Sequence, residues 1–222
     1  ALEDDDDRTE VGGYPLRRNA ARALGKLGDL RAVPALVRSL ECTDFYVREA
    51  AAQSLEKLKD ATCIPRLVAL LNHQIAGTLP APEPPQLVQP FDAILEALGT
   101  LGAVDAIPDI LPFLDHAIPR IRYAAARAMY QLTADPHLAN QYGDRLVLAL
   151  SQGDLQLRRA VLADLGAIGY LPAAEPIAQT LAENSLKLIA LKGLLEKQLL
   201  LTTPPELSAG AIKVMTLMDE LL

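Results

Sequence analysis

The feature that most limits how this chain can fold is an internal repeat. Leu16-Arg17-Arg18-Asn19-Ala20-Ala21-Arg22-Ala23-Leu24 aligns with Val47-Arg48-Glu49-Ala50-Ala51-Ala52-Gln53-Ser54-Leu55 at an offset of 31 residues, and Leu27 and Asp29 fall on Leu58 and Asp60. A unit this short buries its apolar face only by stacking on its neighbours, which makes the chain a solenoid. Two helix types alternate. The first, over residues 32–40, is apolar with proline in its first turn, where a missing N–H costs nothing. It returns over residues 65–71 and 108–114, and without proline over 146–150. The second is Ala-rich, begins near Phe45, and returns over residues 91–101, 121–132 and 157–168, with a degenerate copy at Lys187, Ala190 and Leu194. The result is an all-α solenoid of six helix pairs.

Arg48 and Arg122 stand more than two periods apart. The surplus lies near residues 76–88, around Pro80, Pro82, Pro84 and Pro85, and reads as a surface loop inserted in the third repeat. The solenoid then covers residues 1–200, and residues 201–222 form a capping helix after the Thr202-Thr203-Pro204-Pro205 break. Ile212, Met215, Met218 and Leu222 fall on one stripe of that helix. Ala1-Leu2-Glu3 reads as the tail of a helix that begins before the chain does.

Composition narrows function by exclusion. Half of the 222 residues are apolar, enough for one extended core, and the net charge of -7 argues against a nucleic-acid partner. No apolar run is long enough for a membrane span. Cys42 and Cys63 suggest no disulfide framework, and a small apolar role suits both. His73, His116 and His137 fall in expected loops with no ligand at metal spacing, so no metal site is expected. The run Asp4 to Asp7 reads as a solvated loop, and Gly12-Gly13 lacks a phosphate-loop context.

A helical wheel separates a core side of the second helix type from an outward side. In the second repeat Val47, Ala51, Leu55 and Leu58 face the core, and Glu49, Ala52, Gln53 and Glu56 face away. The equivalent outward residues are Arg18, Ala21, Arg22 and Gly25; Asp92, Leu95, Glu96 and Gly99; Tyr123, Ala126, Arg127 and Tyr130; and Arg159, Leu162, Ala163 and Gly166. An open row of Ala and Gly flanked by polar side chains is therefore expected along this face. In the sixth repeat Leu188, Leu191 and Leu195 are outward and apolar, to be covered by the final helix or a partner. Arg17, Arg48, Arg122 and Arg158 read as structural, with Asp44 and Asp154 four residues before two of them combining cap and salt bridge.

The repeat resembles the short HEAT-like repeat of phycobilisome lyases. The stretches Gly12-Gly13-Tyr14-Pro15-Leu16-Arg17-Arg18-Asn19-Ala20-Ala21-Arg22, Asp44-Phe45-Tyr46-Val47-Arg48-Glu49 and Asp164-Leu165-Gly166-Ala167-Ile168-Gly169-Tyr170 look like the E-type subunits of that family. The resemblance implies a right-handed HEAT-like, armadillo-type superhelical solenoid that pairs with an F-type subunit. Such a heterodimer attaches phycocyanobilin to a cysteine of the phycocyanin alpha chain through a thioether, and can detach or transfer it. It acts in the cytoplasm and needs no cofactor, since phycocyanobilin is its substrate. Family members carry a further Trp-containing N-terminal segment, so this chain reads as an N-terminally shortened form.

On that reading the acceptor thiol belongs to phycocyanin, and the lyase holds the bilin, aligns the reactants and manages protons. Arg18, Arg22 and Arg127 suit the propionates. Glu49, Asp92 and Glu96 suit the pyrrole N–H groups, as the catalytic candidates. Tyr14, Tyr46, Tyr123 and Tyr130 suit stacking walls, with Gln53 beside them. The alternatives are a non-enzymatic repeat scaffold and the E subunit of a phycoerythrocyanin lyase-isomerase.

Overall fold

A computed structural model describes residues 1–3, 13–75, 89–152, 154–201 and 206–222, without the side chains of 73–75. The expected insertion over 76–88, the acidic run Asp4 to Asp7 and the break over 202–205 lie outside the described residues. All regular elements among the described residues are helical. Six Ala-rich helices recur in chain order: α1 (Pro15–Leu27), α3 (Phe45–Leu58), α5 (Phe91–Thr100), α7 (Pro119–Leu132), α9 (Leu155–Ile168) and α11 (Asn184–Leu199). Each is followed by a partner: α2 (Val33–Ser39), α4 (Ile64–Ile75), α6 (Ile107–Ile110), α8 (Pro136–Ala149), α10 (Ala174–Gln179) and α12 (Ala209–Asp219). The all-α, HEAT-like hairpin read from the repeat is the one the chain adopts.

Local chemistry sets the helix ends. Asp44 accepts from the Tyr46 and Val47 amides at the start of α3, and Asp154 accepts from the Gln156 and Leu157 amides at the start of α9. These carboxylates satisfy N–H groups that have no partner inside the helix. Gly28 and Gly169 end α1 and α9 with φ of 73° and 70°, a left-handed conformation that glycine adopts without strain. Asp29 and Asp60 cap the short turns that lead into α2 and α4. Sequence reading missed the start of α8. Pro136 stands in its first turn behind the Asp135 cap, so His137 is helical, and His73 lies within α4. The capping aspartate was the available signal.

In α3, α7 and α9 the arginine of the first turn folds back over the preceding turn. Arg48 donates to the Cys42 and Thr43 carbonyls at 2.5 and 3.0 Å, Arg122 to the His116 and Ala117 carbonyls at 2.8 and 2.9 Å, and Arg158 to the Gln152 carbonyl at 3.0 Å. These are charge-assisted bonds to turn carbonyls that lie outside the helices. The structural reading of these arginines holds. Asp44 and Asp154 supply the caps, and the guanidinium of Arg158 goes to a carbonyl.

The chain divides into two compact units, Ala1–Phe113 and Leu114–Leu222. In the first, α1 packs on α3 and α3 on α5, with α2 against α3 and α4 against α5. Leu36, Val47, Leu55, Leu67, Leu71, Ile94 and Leu98 make its fully buried core. In the second, α7 packs on α8 and α9, α9 on α11, and α12 on α11 and α10. Leu146, Val161, Leu165, Ile177 and Leu194 are its fully buried core. Each fully buried Leu, Ile or Val stabilises the unit by about 1.5–3 kcal/mol.

Two expectations are corrected here. The row of small residues read as open is buried except for Ala163, which is exposed: Ala21, Gly25, Ala52, Leu95, Gly99, Ala126, Leu162 and Gly166 are covered, as is Leu191. The Ala-rich helices pack side by side through these positions, so small residues serve close helix approach and do not open a groove. A Cβ on Gly166 would stand 3.0 Å from Ala190 Cα, and one on Gly193 2.4 Å from the Gly166 carbonyl oxygen. In α12, Ala211 and Val214 face inward, while Ile212 and Met215, and Leu222 beyond its end, are exposed. The smaller residues let this helix approach α11, with Gly210 against the Gln198 side chain.

Candidate functional site

After the small residues are buried, polar side chains at one shared register remain at least partly open on the long helices of the first unit. Arg22 of α1 is exposed, and Gln53 of α3 and Glu96 of α5 are half-buried at the same register. One turn earlier stand Arg18 and Glu49, both half-buried. Neighbouring packed helices lie about 8–10 Å apart, so this strip crosses roughly 16–20 Å from α1 to α5. Its charge changes sign along the way: arginines on α1, then carboxylates on α3 and α5. Thr100 donates to Glu56 at 2.8 Å and ties α5 to α3 at the far end of the strip.

Arg18 stands beside an exposed aromatic ring. Its guanidinium carbon lies 6.0 Å from the Tyr46 ring centroid, and among the described residues it has no carboxylate partner. Tyr46 is 57% exposed and packs edge-on against Phe45, with centroids 5.6 Å apart. A ring face attracts a cation and excludes water from it without neutralising it, so Arg18 keeps its charge for an anion from outside. Arg22, one turn on, likewise has no ion pair among the described residues. Tyr14 is buried instead of standing as a wall. Arg17 covers its ring at 4.5 Å, and its amide donates to the Asp44 carboxylate at 2.9 Å.

Asp92, read as an outward catalytic carboxylate, is only 9% exposed. It lies in the first turn of α5, a helix buried on nearly all sides. The wheel assumed one solvent face per helix, and α5 has almost none.

In the second unit Tyr123, Arg127 and Tyr130 follow one another along one face of α7. Tyr123 and Tyr130 are half-buried, and Arg127, expected in the open, is 7% exposed. Its guanidinium donates to Asp164 of α9 at 3.0 Å, and Asp164 is equally buried. Sequence reading passed over Asp164. The available signal was a single acid in a register that otherwise holds Ala23, Ser54, Ala97, Ala128 and Gly193.

The Tyr130 ring meets the Tyr170 ring edge-on at 5.4 Å, and the Tyr170 hydroxyl donates to Asp144 at 2.7 Å. Burial pushes the Tyr130 hydroxyl up, and burial with the Asp144 carboxylate pushes Tyr170 up strongly, so both phenols stay protonated donors. Tyr130 opens on a cleft of about 420 Å³ shared with Asn140, Tyr170 and Lys197.

Neither cysteine is set up as a nucleophile. Cys63 is buried, its thiol donates to the Asp60 carbonyl at 3.1 Å, and burial pushes it up to about 11. Cys42 is half-buried beside Arg17. Among the described residues no group of His, Cys, Asp and Glu could hold a metal ion, and no helix is long and apolar enough to cross a membrane.

Comparison with known proteins follows the same lines. A family model for HEAT repeats matches residues 13–78, and one for the PBS lyase HEAT-like repeat matches residues 92–116. The chain is 79% identical over 223 residues to the phycocyanobilin lyase subunit alpha of Microchaete diplosiphon, covering 100% of this chain and 76% of that protein. It is 61% identical over 223 residues to the subunit of the same name from Nostoc sp., covering 100% of this chain and 79% of that one. A bilin biosynthesis protein, PecE of Mastigocladus laminosus, is 43% identical over 197 residues, with 88% of this chain and 67% of that protein covered. Among solved structures, the complex of CpcE and CpcF of phycocyanin lyase from Nostoc sp. contains a chain that superposes with a TM-score of 0.86. That chain is 62% identical, and the match covers 100% of this chain and 80% of that one.

Proposed function

This chain belongs to the family of phycocyanobilin lyase alpha subunits, and from that premise we propose that its first unit holds phycocyanobilin while the pigment is joined to a cysteine of the phycocyanin alpha chain. It is a lyase subunit, and its partner is an F-type subunit, as in the CpcE–CpcF complex. In the joining step a new C–S bond forms as the acceptor thiol adds across the ethylidene double bond of ring A. The proton lost by sulfur is matched by one gained at carbon, and reversal of the step detaches the pigment. No cofactor is called for, because phycocyanobilin is the substrate.

The observation that carries this reading is the half-buried Arg18 beside the exposed Tyr46 ring, with exposed Arg22 one turn away. Two guanidinia with no carboxylate partner among the described residues suit the two propionates, and the Tyr46 ring suits the flat face of a pyrrole. Glu49 and Glu96, one and two helices along, suit the pyrrole N–H groups and stabilise the protonated tetrapyrrole, with Gln53 between them. Tyr123 and Tyr130 are walls of the second unit. The reading places the reaction in the cytoplasm, where a reducing environment keeps the acceptor thiol and the free Cys42 and Cys63 reduced. No observation favours the scaffold or the lyase-isomerase alternative.

The test is reconstitution of the chain with its F-type partner, phycocyanobilin and the apo alpha chain of phycocyanin. The expected product is a thioether-linked, denaturation-resistant pigment adduct. Adduct formation at the same rate without this chain would refute the proposal.

A further inference from the structure

One carboxylate in the first unit ties the starts of two long helices together. Asp44 gives Oδ1 to the Tyr46 and Val47 amides at 2.7 and 3.3 Å, which is what capping α3 requires. Its other oxygen, Oδ2, accepts from the Tyr14 amide at 2.9 Å, at the start of α1. Capping does not need that second bond. Asp154 caps α9 through one oxygen in the same way, and among the described residues its carboxylate bonds stay within its own helix. The start of α1 has no side-chain cap, and Pro15 in its first turn has no N–H to offer. The Tyr14 amide is therefore where Asp44 can hold that helix end.

These bonds form a closed path around Arg18 and Tyr46. The Arg18 amide donates to the Tyr14 carbonyl at 3.1 Å, which places Arg18 one helical turn from the Asp44 contact. Tyr46 is the residue whose amide the other oxygen holds. Among the described residues the Arg18 side chain makes no hydrogen bond or ion pair, and its buried Nε is unsatisfied. What orients the guanidinium is the Tyr46 ring, 6.0 Å away. That distance is the outer limit of a cation–ring attraction, so a slip of about 1 Å between the two helix starts would end it. Ser54 joins the same helices further along, and Asp44 acts at the end that carries the pair.

We propose that Asp44 is a positioning residue for pigment binding: by holding the Tyr14 and Tyr46 amides with its two oxygens, it keeps Arg18 over the Tyr46 ring, ready for a propionate. This rests on the reading of the first unit as the bilin holder. Asp44 acts through Arg18 and not on the pigment. Its own negative charge opposes an incoming carboxylate, so its charge and its positioning act on affinity with opposite signs.

The experiment is an absorbance titration of the assembled lyase with phycocyanobilin, as free acid and as dimethyl ester. The variants are Asp44→Asn, Asp44→Ser, Arg18→Gln, Asp44→Asn combined with Arg18→Gln, and Asp154→Asn, each checked by circular dichroism. Asn and Ser cap helices about as well as Asp, yet neither offers Tyr14 a second acceptor oxygen. Both Asp44 variants should weaken acid binding by roughly threefold to fivefold, the worth of an exposed cation–ring contact, and leave the ester unaffected. Asp44→Asn should add no further loss to Arg18→Gln, and Asp154→Asn should bind both ligands as wild type does. Unchanged or tighter acid binding in the Asp44 variants, an equal loss for acid and ester, or additive losses in the combined variant would each overturn the proposal. So would failure of both Asp44 variants to fold, which would make the residue one of stability alone. An acid preference kept in the Asp44 variants removes this proposal only, whereas a wild-type complex that binds no pigment removes the underlying reading with it.

Discussion

Ser54 occupies the space that a side chain on Gly25 would need. A Cβ built on Gly25 would stand 2.6 Å from the Ser54 hydroxyl oxygen, the same atom that donates to the Ala21 carbonyl at 2.9 Å. One hydroxyl thus joins α1 to α3 and sets how near they come. The same close approach recurs between α9 and α11, where backbone replaces the hydroxyl.

Gly193→Ala should destabilise the second unit by about 1–3 kcal/mol, the usual effect of overpacking. Its methyl group would stand 2.4 Å from the Gly166 carbonyl oxygen, which has no side-chain freedom to move away. Urea denaturation monitored by circular dichroism measures this. A midpoint equal to wild type would contradict the close crossing.

Arg48→Met should cost about 2–3 kcal/mol of stability, since it removes charge-assisted bonds to two turn carbonyls. Arg48 is 2% exposed, so water does not readily take its place. Pigment transfer per folded molecule should stay at the wild-type rate. A fully stable variant, or one folded yet inactive, would move Arg48 out of the structural class.

Alkali should weaken the fold. The Cys63 thiol is raised to about 11 by burial, above the ordinary value of 9.0 that it regains on unfolding. A raised thiol favours the folded state below about 9, and that preference is lost as pH climbs from about 9 to about 11. Tyr170, also raised, acts in the same direction. Native protein at pH 8 should expose one thiol, Cys42, to a disulfide reagent and release the second only on denaturation. Two rapidly reacting thiols in native protein would disprove the burial of Cys63.

Arg18→Gln and Arg22→Gln should each weaken binding of free-acid phycocyanobilin by roughly tenfold, the loss of one charge-assisted bond. Binding of the dimethyl ester should be unaffected by either change. An equal loss for acid and ester would mean that neither arginine reads the propionates.

Glu49→Gln and Glu96→Gln should slow thioether formation by about 10²-fold or more with stability unchanged, as for removal of a proton-handling carboxylate. Asp92→Asn should act chiefly on stability, because Asp92 is buried in α5. Single-turnover transfer rates beside melting curves separate the two. Attachment at wild-type rate in both glutamine variants would take the carboxylates out of the chemistry.

Much of the architecture could be read directly because it is written in short-range patterns. The 31-residue offset between Leu16 and Val47 fixed the stacking unit, Asp44 and Asp154 marked helix starts, and Arg48, Arg122 and Arg158 marked the turns they clasp. The caps and the arginine clasps act within six residues, a distance over which helix geometry alone relates the side chains, and the offset repeats that local pattern. The candidate site was legible in part. Arg18, Arg22, Glu49, Gln53 and Glu96 do lie on one partly open face, as their register implied.

Burial could not be read in the same way. Arg22 and Arg127 occupy one register on similar Ala-rich helices, yet the first is exposed and the second is not. Arg127 pairs with Asp164, 37 residues away in sequence, whereas Arg22 has no ion pair among the described residues. Sequence by itself determined the helices, their caps and the repeat that stacks them, because backbone hydrogen bonding and apolar periodicity are local. Which polar side chains reach solvent was decided by the tertiary structure, since desolvation depends on the neighbouring helix and on whether that neighbour supplies a compensating charge.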